Sequence, residues 1–299
     1  MTDESTLVNN SLINDIHPVG KRPWWWFIVM FLDYSVTVIK LSLLAYLIYL
    51  LRPVFSTMHQ AASLQNSYYE IIIDNTHVNY KFVTEKPEGW VSLDEISKKL
   101  RGAIISSEDG KFYEHPGYDI VELTTAIEEA IRKNFKKARG ASTITQQLVK
   151  NLFFESDRSY IRKAQELVMT LWIEKNVSKD KIFETYLNII EYGPEIYGIQ
   201  KASMHYFGKK PQYLTARESA FIAMLLPSPV RYYKSFRQKE LTPFAERIVN
   251  SVLFKMRQGG YISESDYLTS LSDRFSWEKP KDVIDTGEAE NSSDDFTDF

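Results

Sequence analysis

The stretch from Trp24 to Leu51 limits this chain more than any other. It reads WWWFIVMFLDYSVTVIKLSLLAYLIYLL, and only Asp33 and Lys40 in it are charged. At about 1.5 Å of rise per residue, even Tyr34 to Leu51 nearly crosses a hydrocarbon core about 30 Å thick. A lysine near the middle of such a helix costs roughly 2.5–3.5 kcal/mol on insertion scales. Its stem can carry the ammonium outward, and the Leu, Ile and Tyr run outweighs the cost. Trp24–Trp26 suit an interfacial aromatic belt. The stretch is too long for a cleavable signal, and no small-residue cleavage site accompanies it. Lys21 and Arg22 precede it and Arg52 alone follows. The expectation is a cytoplasmic leader over residues 1–23, a transmembrane anchor over 24–52, and the rest of the chain outside the cell membrane.

Beyond the anchor, 53–68 reads as a polar connector, 69–275 as one domain and 276–299 as an acidic disordered tail. From Glu278 to Phe299 eight acids face only Lys279 and Lys281, so the overall charge of −3 hides a mildly basic body. Residues 68–83 alternate in part, with Val78, Tyr80 and Phe82 on one face, and read as a hairpin turning near Asn75. From Leu93 onward helix punctuation dominates. Thr143 with Gln146 and Thr215 with Glu218 are capping pairs, and Thr242-Pro243 is a cap followed by proline at the first helical position. Gly193, Gly208 and Gly259-Gly260 sit where helices should stop. Ile161, Ala164, Val168, Leu171 and Trp172 make one apolar face, and Phe221, Met224 and Leu225 another. The body is mainly α.

The chain has no cysteine. That removes disulfides, thiolate zinc sites and a cysteine nucleophile. Five scattered histidines include no HExxH and no pair at helical spacing, which argues against zinc. Neither a GxSxG elbow nor a Gly-rich phosphate loop is present. Ser178–Lys181 matches SxxK, but without the companion motifs of that chemistry Ser178 reads as a helix cap.

Three clusters remain. In AIISSEDGKFYEHPGYD (103–119) an apolar lead-in delivers Glu108-Asp109 into a glycine-punctuated loop with Phe112, His115 and Gly117. A carboxylate among apolar groups can have the raised pKa that a general base or acid needs; a solvated acid pair at a helix end fits as well. In RGASTITQQLVKN (139–151), Thr143, Gln147 and Lys150 fall on one face of a helix. Its N-terminus suits an anion, and its hydroxyls and amides suit a sugar. An ordinary capped helix with a polar face fits this stretch equally. In DRSYIRKAQE (157–166), Arg158, Arg162 and Lys163 bunch beside Glu166. On a surface that is a routine pair worth roughly 0.3–0.5 kcal/mol. With Lys150, the four cations and two separated glutamates suggest a diphosphate site with acid/base chemistry beside it.

Together the stretches resemble the motifs of the peptidoglycan glycosyltransferases, glycosyltransferase family 51. EDGKFYEHPG, GASTITQQ, RKAQE, KIFETYLNIIEYG (181–193) and YFGKKPQYLTARESAFIAMLLPSP (206–229) follow the family's order, across roughly Gly89 to Gln258. The departures are Ala141 for a frequent glycine and Ile182-Phe183-Glu184 for the usual Ile-Leu-Glu. With no transpeptidase domain, the chain is similar to the monofunctional branch. The resemblance implies a lysozyme-like α-helical domain with a small membrane-apposed lobe near residues 118–138. It implies polymerisation of lipid II into β-1,4-linked glycan with release of undecaprenyl pyrophosphate, and moenomycin as an inhibitor. Carried over by motif, Glu108 is the general base and Glu166 the second carboxylate. Lys150, Arg158, Arg162 and Lys163 hold or neighbour the diphosphate. Ser142, Thr143, Gln146, Gln147, Asp109, Phe112 and His115 line or shape the cleft. No cofactor is required, and a divalent cation (Mg or Mn) is at most a stimulant. The expected partners are lipid II, the growing strand, the bilayer and other cell-wall synthesis or division proteins, with no nucleic acid. The alternatives are a membrane-anchored muramidase and an inactive scaffold of a wall-synthesis complex.

Overall fold

The computed structural model describes residues 23–74, 77–132, 142–154 and 159–279. The leader, the turn at Asn75, the basic run from Lys133 to Lys137, Arg158 and most of the acidic tail lie outside the described residues. The chain divides into two units, Met1–Arg52 and Pro53–Phe299.

In the first unit the described residues are helical from Trp24 onward. Helix α1 (Trp24–Ser63) begins in it and contains Pro53. Apart from half-buried Trp26, its apolar side chains from Trp24 to Tyr49 are exposed, and this is one helix long and apolar enough to cross a membrane.

The second unit corrects one expectation. Residues 53–68, read from their polarity as a connector, are helical to Ser63 and give Val54, Ala61 and Leu64 to the core. The Trp172 indole donates to Met58 O at 3.0 Å, and Ser178 N donates to Gln65 Oε1 at 2.8 Å. Polar composition hid the contribution because only three apolar residues of the segment are buried, beside Ser67. Strands β1 (Tyr68–Asp74) and β2 (His77–Val83) then pair antiparallel from Tyr68–Val83 to Asp74–His77, the hairpin that alternation implied.

The rest is mostly helical. Helix α2 (Lys98–Glu108) is capped by Ser97, α3 spans Ile120–Arg132, and α4 (Ile144–Phe153) is capped by Thr143. Next come α5 (Tyr160–Asn176) and α6 (Lys179–Ile189), the latter capped by Ser178. The short strands β3 (Glu191–Gly193) and β4 (Ile196–Tyr197) lead to α7 (Ile199–Phe207), which ends at left-handed Gly208. Helix α8 (Ala216–Leu225) is buried along its whole length. The short α9 (Pro229–Tyr232) and α10 (Lys234–Gln238) precede α11 (Pro243–Gln258) and α12 (Glu264–Ser272). Helix α8 is the centre, packed by α2, α11 and α12, while α4 packs on α5 and α6.

Helix α5 departs from its apolar pattern. Ile161 and Leu171 are 45 % and 43 % exposed, whereas the inward side carries Glu166, Met169, Thr170 and Ile173. A period of 3.6 identifies a stripe but not the neighbour it meets, and here the buried stripe carries a carboxylate. Helix α3 likewise exposes Ile120, Val121, Leu123 and Ile131.

Two residues of the fourth sequence block are structural. Glu184 accepts from the Trp90 indole and from Leu93 N, both at 3.0 Å. The Asn188 side chain exchanges two hydrogen bonds with the Val91 backbone, each 2.8 Å. Segment 90–93 is thereby sewn onto α6.

Candidate active site

Glu108 is the last residue of α2, and Asp109 caps it with its N–H on Ile105 O at 2.9 Å. The chain leaves the helix so sharply that the two neighbouring carboxylates serve different ends. Asp109 turns inward. Its Oδ2 accepts from Ile144 N at 3.0 Å, satisfying a free donor at the start of α4. Its Oδ1 accepts from His115 Nε2 at 2.8 Å. Gly117 N donates to His115 Nδ1 at 3.1 Å, so Nδ1 is unprotonated and the ring hydrogen sits on Nε2. Thr143 Oγ1 donates to Gly117 O at 2.8 Å. These bonds pin the loop after Glu108 to the beginning of α4.

Glu108 turns to the cavity side. Gln147 Nε2 donates to its Oε2 at 2.9 Å, and Tyr186 OH donates to Gln147 Oε1 at 2.9 Å. Loss of hydration pushes the Glu108 carboxyl above the ordinary glutamate range, against the lowering pull of Gln147, Ser107 and Lys255.

A cavity of about 390 Å³ is lined by Glu108, Ser142, Gln146, Gln147, Lys150, Lys163, Glu166 and Tyr186, together with Leu226, Pro227 and Pro229. A second, of about 760 Å³, is lined by Ser107, Glu108, Asp109, Lys111, Asp119, Glu122, Thr143 and Lys255. Glu108, Ser142, Gln147 and Pro227 border both, so the desolvated carboxylate stands where the two meet.

Glu166 is 2 % exposed. Arg162 Nη1 lies 2.7 Å from its Oε1 and Lys163 Nζ lies 3.2 Å from its Oε2. Lys163 Nζ also donates to Gln146 Oε1 at 3.2 Å and Ser142 Oγ at 3.3 Å. One buried acid therefore orients two cations, and the ammonium ties α5 to the start of α4. Lys150 is exposed at the cavity and has no ion-pair partner among the described residues.

Most of the expected site residues come together here: Glu108, Glu166, Lys150, Lys163, Ser142, Gln146 and Gln147 in the first cavity, Asp109 and Thr143 at the second. Arg162 lines neither and serves Glu166. Phe112 and His115 are buried away from both; Phe112 is fully enclosed, 5.6 Å from Phe183 between ring centres, so these two shape the loop. Arg158 lies outside the described residues. Sequence reasoning passed over Tyr186, Pro227 and Lys255. The first two lie inside recognised blocks and could have been found there. Lys255, on the amphipathic α11, carries no local signal.

The chain belongs to the transglycosylase family: a family model of that description matches residues 75–257. Similar relatives carry the name biosynthetic peptidoglycan transglycosylase. One from Aeromonas hydrophila subsp. hydrophila is 41 % identical over 181 residues, spanning 60 % of this chain and 74 % of the relative. One from Thiobacillus denitrificans is 44 % identical over 163 residues, 54 % of this chain and 67 % of the relative. One from Shewanella oneidensis is 48 % identical over 150 residues, 50 % and 64 %.

Proposed function

We propose that this protein is a peptidoglycan transglycosylase, an enzyme that polymerises lipid II into β-1,4-linked glycan with Glu108 as general base. The observation that carries the reading is the position of Glu108: a desolvated carboxylate bordering two cavities, one of which also holds Lys150, Lys163 and Glu166. In the reaction the GlcNAc 4-hydroxyl of the acceptor attacks the anomeric carbon of the donor's MurNAc. Glu108 takes the hydroxyl proton as the new C–O bond forms. The bond to the pyrophosphate breaks with inversion, and the lipid diphosphate leaves with the electron pair. An alcohol is a poor nucleophile, and a positioned base is worth typically about 10²–10⁴ in rate. A diphosphate needs its charge met rather than a proton, which fixed cations do well.

The growing strand's diphosphate sits in the cavity with Lys150 and Lys163, and the acceptor sugar enters the larger one. Glu166 acts through the two cations it orients. No cofactor is required on this reading; a divalent ion bridging the diphosphate would stimulate without being held by a protein cage. The α1 helix anchors the chain in the cell membrane with its N-terminus cytoplasmic and the catalytic unit outside, where a lipid-linked substrate is available. Other wall-synthesis proteins are natural partners.

The test uses the full chain in detergent or liposomes with labelled lipid II. Polymer that moenomycin suppresses supports the reading, shortened glycan supports a muramidase, and no turnover supports a scaffold. Glu108→Gln should abolish polymerisation while retaining substrate; near-normal polymerisation by that variant would refute the base.

A further inference from the structure

Tyr186 lies on α6, fully buried, and its hydroxyl donates to Gln147 Oε1 at 2.9 Å. Among the described residues that hydroxyl has no other acceptor. Gln147 then has one free side to its amide, and Nε2 donates to Glu108 Oε2 at 2.9 Å. Turning the amide over would bring Oε1 against Glu108 and leave the phenol hydrogen buried without a partner, which is unfavourable. We infer that Tyr186 is a positioning residue for the reaction: its hydroxyl locks the Gln147 amide so that only an N–H donor faces Glu108. This rests on the reading of Glu108 as base and assigns what keeps that base ionised.

The consequence is a matter of sign. A donor aimed at Glu108 favours the carboxylate; an acceptor in the same place favours the carboxylic acid. Without the Tyr186 hydroxyl the amide can turn, and a protonated Glu108 can donate to Oε1. The base then holds its proton to higher pH. The other charges facing Glu108 are Asp109 beside it and Lys255 from α11, with Lys150, Lys163, Glu166 and Glu191 around the first cavity and Lys111, Asp119 and Glu122 around the second. None of these changes in the variants below.

The experiment is the pH dependence of kcat/KM for lipid II polymerisation by the full chain, comparing wild type, Tyr186→Phe, Gln147→Leu and the double variant. Tyr186→Phe should move the acid limb upward by about one pH unit, read as about tenfold lower rate below the limb. The high-pH plateau should fall much less. Gln147→Leu should move the limb the same way, and adding Tyr186→Phe to it should move it no further. A purely structural tyrosine would scale the whole profile and leave its midpoint alone. An unmoved limb in Tyr186→Phe, or a further shift in the double variant, overturns the inference. A wild type with no acid limb, or an active Glu108→Gln, instead removes the reading of Glu108 beneath it.

Discussion

Asp109→Asn separates the two adjacent carboxylates by role. Both Asp109 oxygens accept: Oδ2 from Ile144 N at 3.0 Å and Oδ1 from His115 Nε2 at 2.8 Å. Asparagine keeps the shape but presents an NH₂ to one of these donors. Rotating the His115 tautomer offers no escape, because a proton on Nδ1 would then face Gly117 N. One buried donor is left unpaired whichever way the amide turns. That costs about 1–3 kcal/mol, and the surviving bond loses its charge assistance, for a total of about 2–4 kcal/mol. In a unit of this size each kcal/mol moves Tm by roughly 2–4 °C, so the midpoint should fall by about 4–16 °C. Thermal unfolding of the detergent-solubilised chain, followed by circular dichroism, measures this directly. Polymerisation should fall too, since α4 carries Gln147 against Glu108. An Asp109→Asn midpoint within about 1 °C of wild type would contradict the argument, because an orphaned buried donor cannot be that cheap.

Glu108→Gln should behave oppositely. Its folded pKa is raised by burial, so the carboxyl adds stability below its unfolded pKa and loses that contribution as pH climbs through the folded value. At neutral pH the ionised group is a net cost, and the neutral glutamine should melt no lower than wild type; a lower midpoint would count against the desolvation. The same shift requires the wild-type rate to fall on acidification at a pH above the ordinary glutamate range, readable from a kcat/KM profile. Lys150→Ala should weaken donor and moenomycin binding by about tenfold or more, as expected for one charge-assisted contact, while leaving Tm unchanged; unaltered binding in a fluorescence titration would remove Lys150 from the diphosphate site. Gly117→Ala should destabilise by about 1–3 kcal/mol. Gly117 has φ +92°, and a Cβ there would lie 2.7 Å from Thr170 Cγ2 and 2.8 Å from Glu174 Cγ; a stable Gly117→Ala chain in a thermal melt would show that this loop is not tightly held.

Local physics made much of this protein legible in one dimension. A long apolar run, broken only by Asp33 and Lys40 among charged residues, predicts a span-length helix because the reason is composition. Thr143, Ser178, Thr215 and Thr242 mark helix starts because a cap and its target lie three residues apart. The motif blocks point to Glu108, Glu166, Lys150 and Lys163, since each motif is short. What stayed hidden depends on partners distant along the chain. The Glu108–Gln147 and Gln147–Tyr186 bonds each span 39 residues, and nothing near Tyr186 announces either. Periodicity on α5 found the apolar stripe, yet Glu166 is the residue that faces inward, because burial is decided by which helices meet. Adjacent Glu108 and Asp109 look interchangeable in sequence. Only the packing of α2 against α4 makes one a desolvated carboxylate open to a cavity and the other a buried tie.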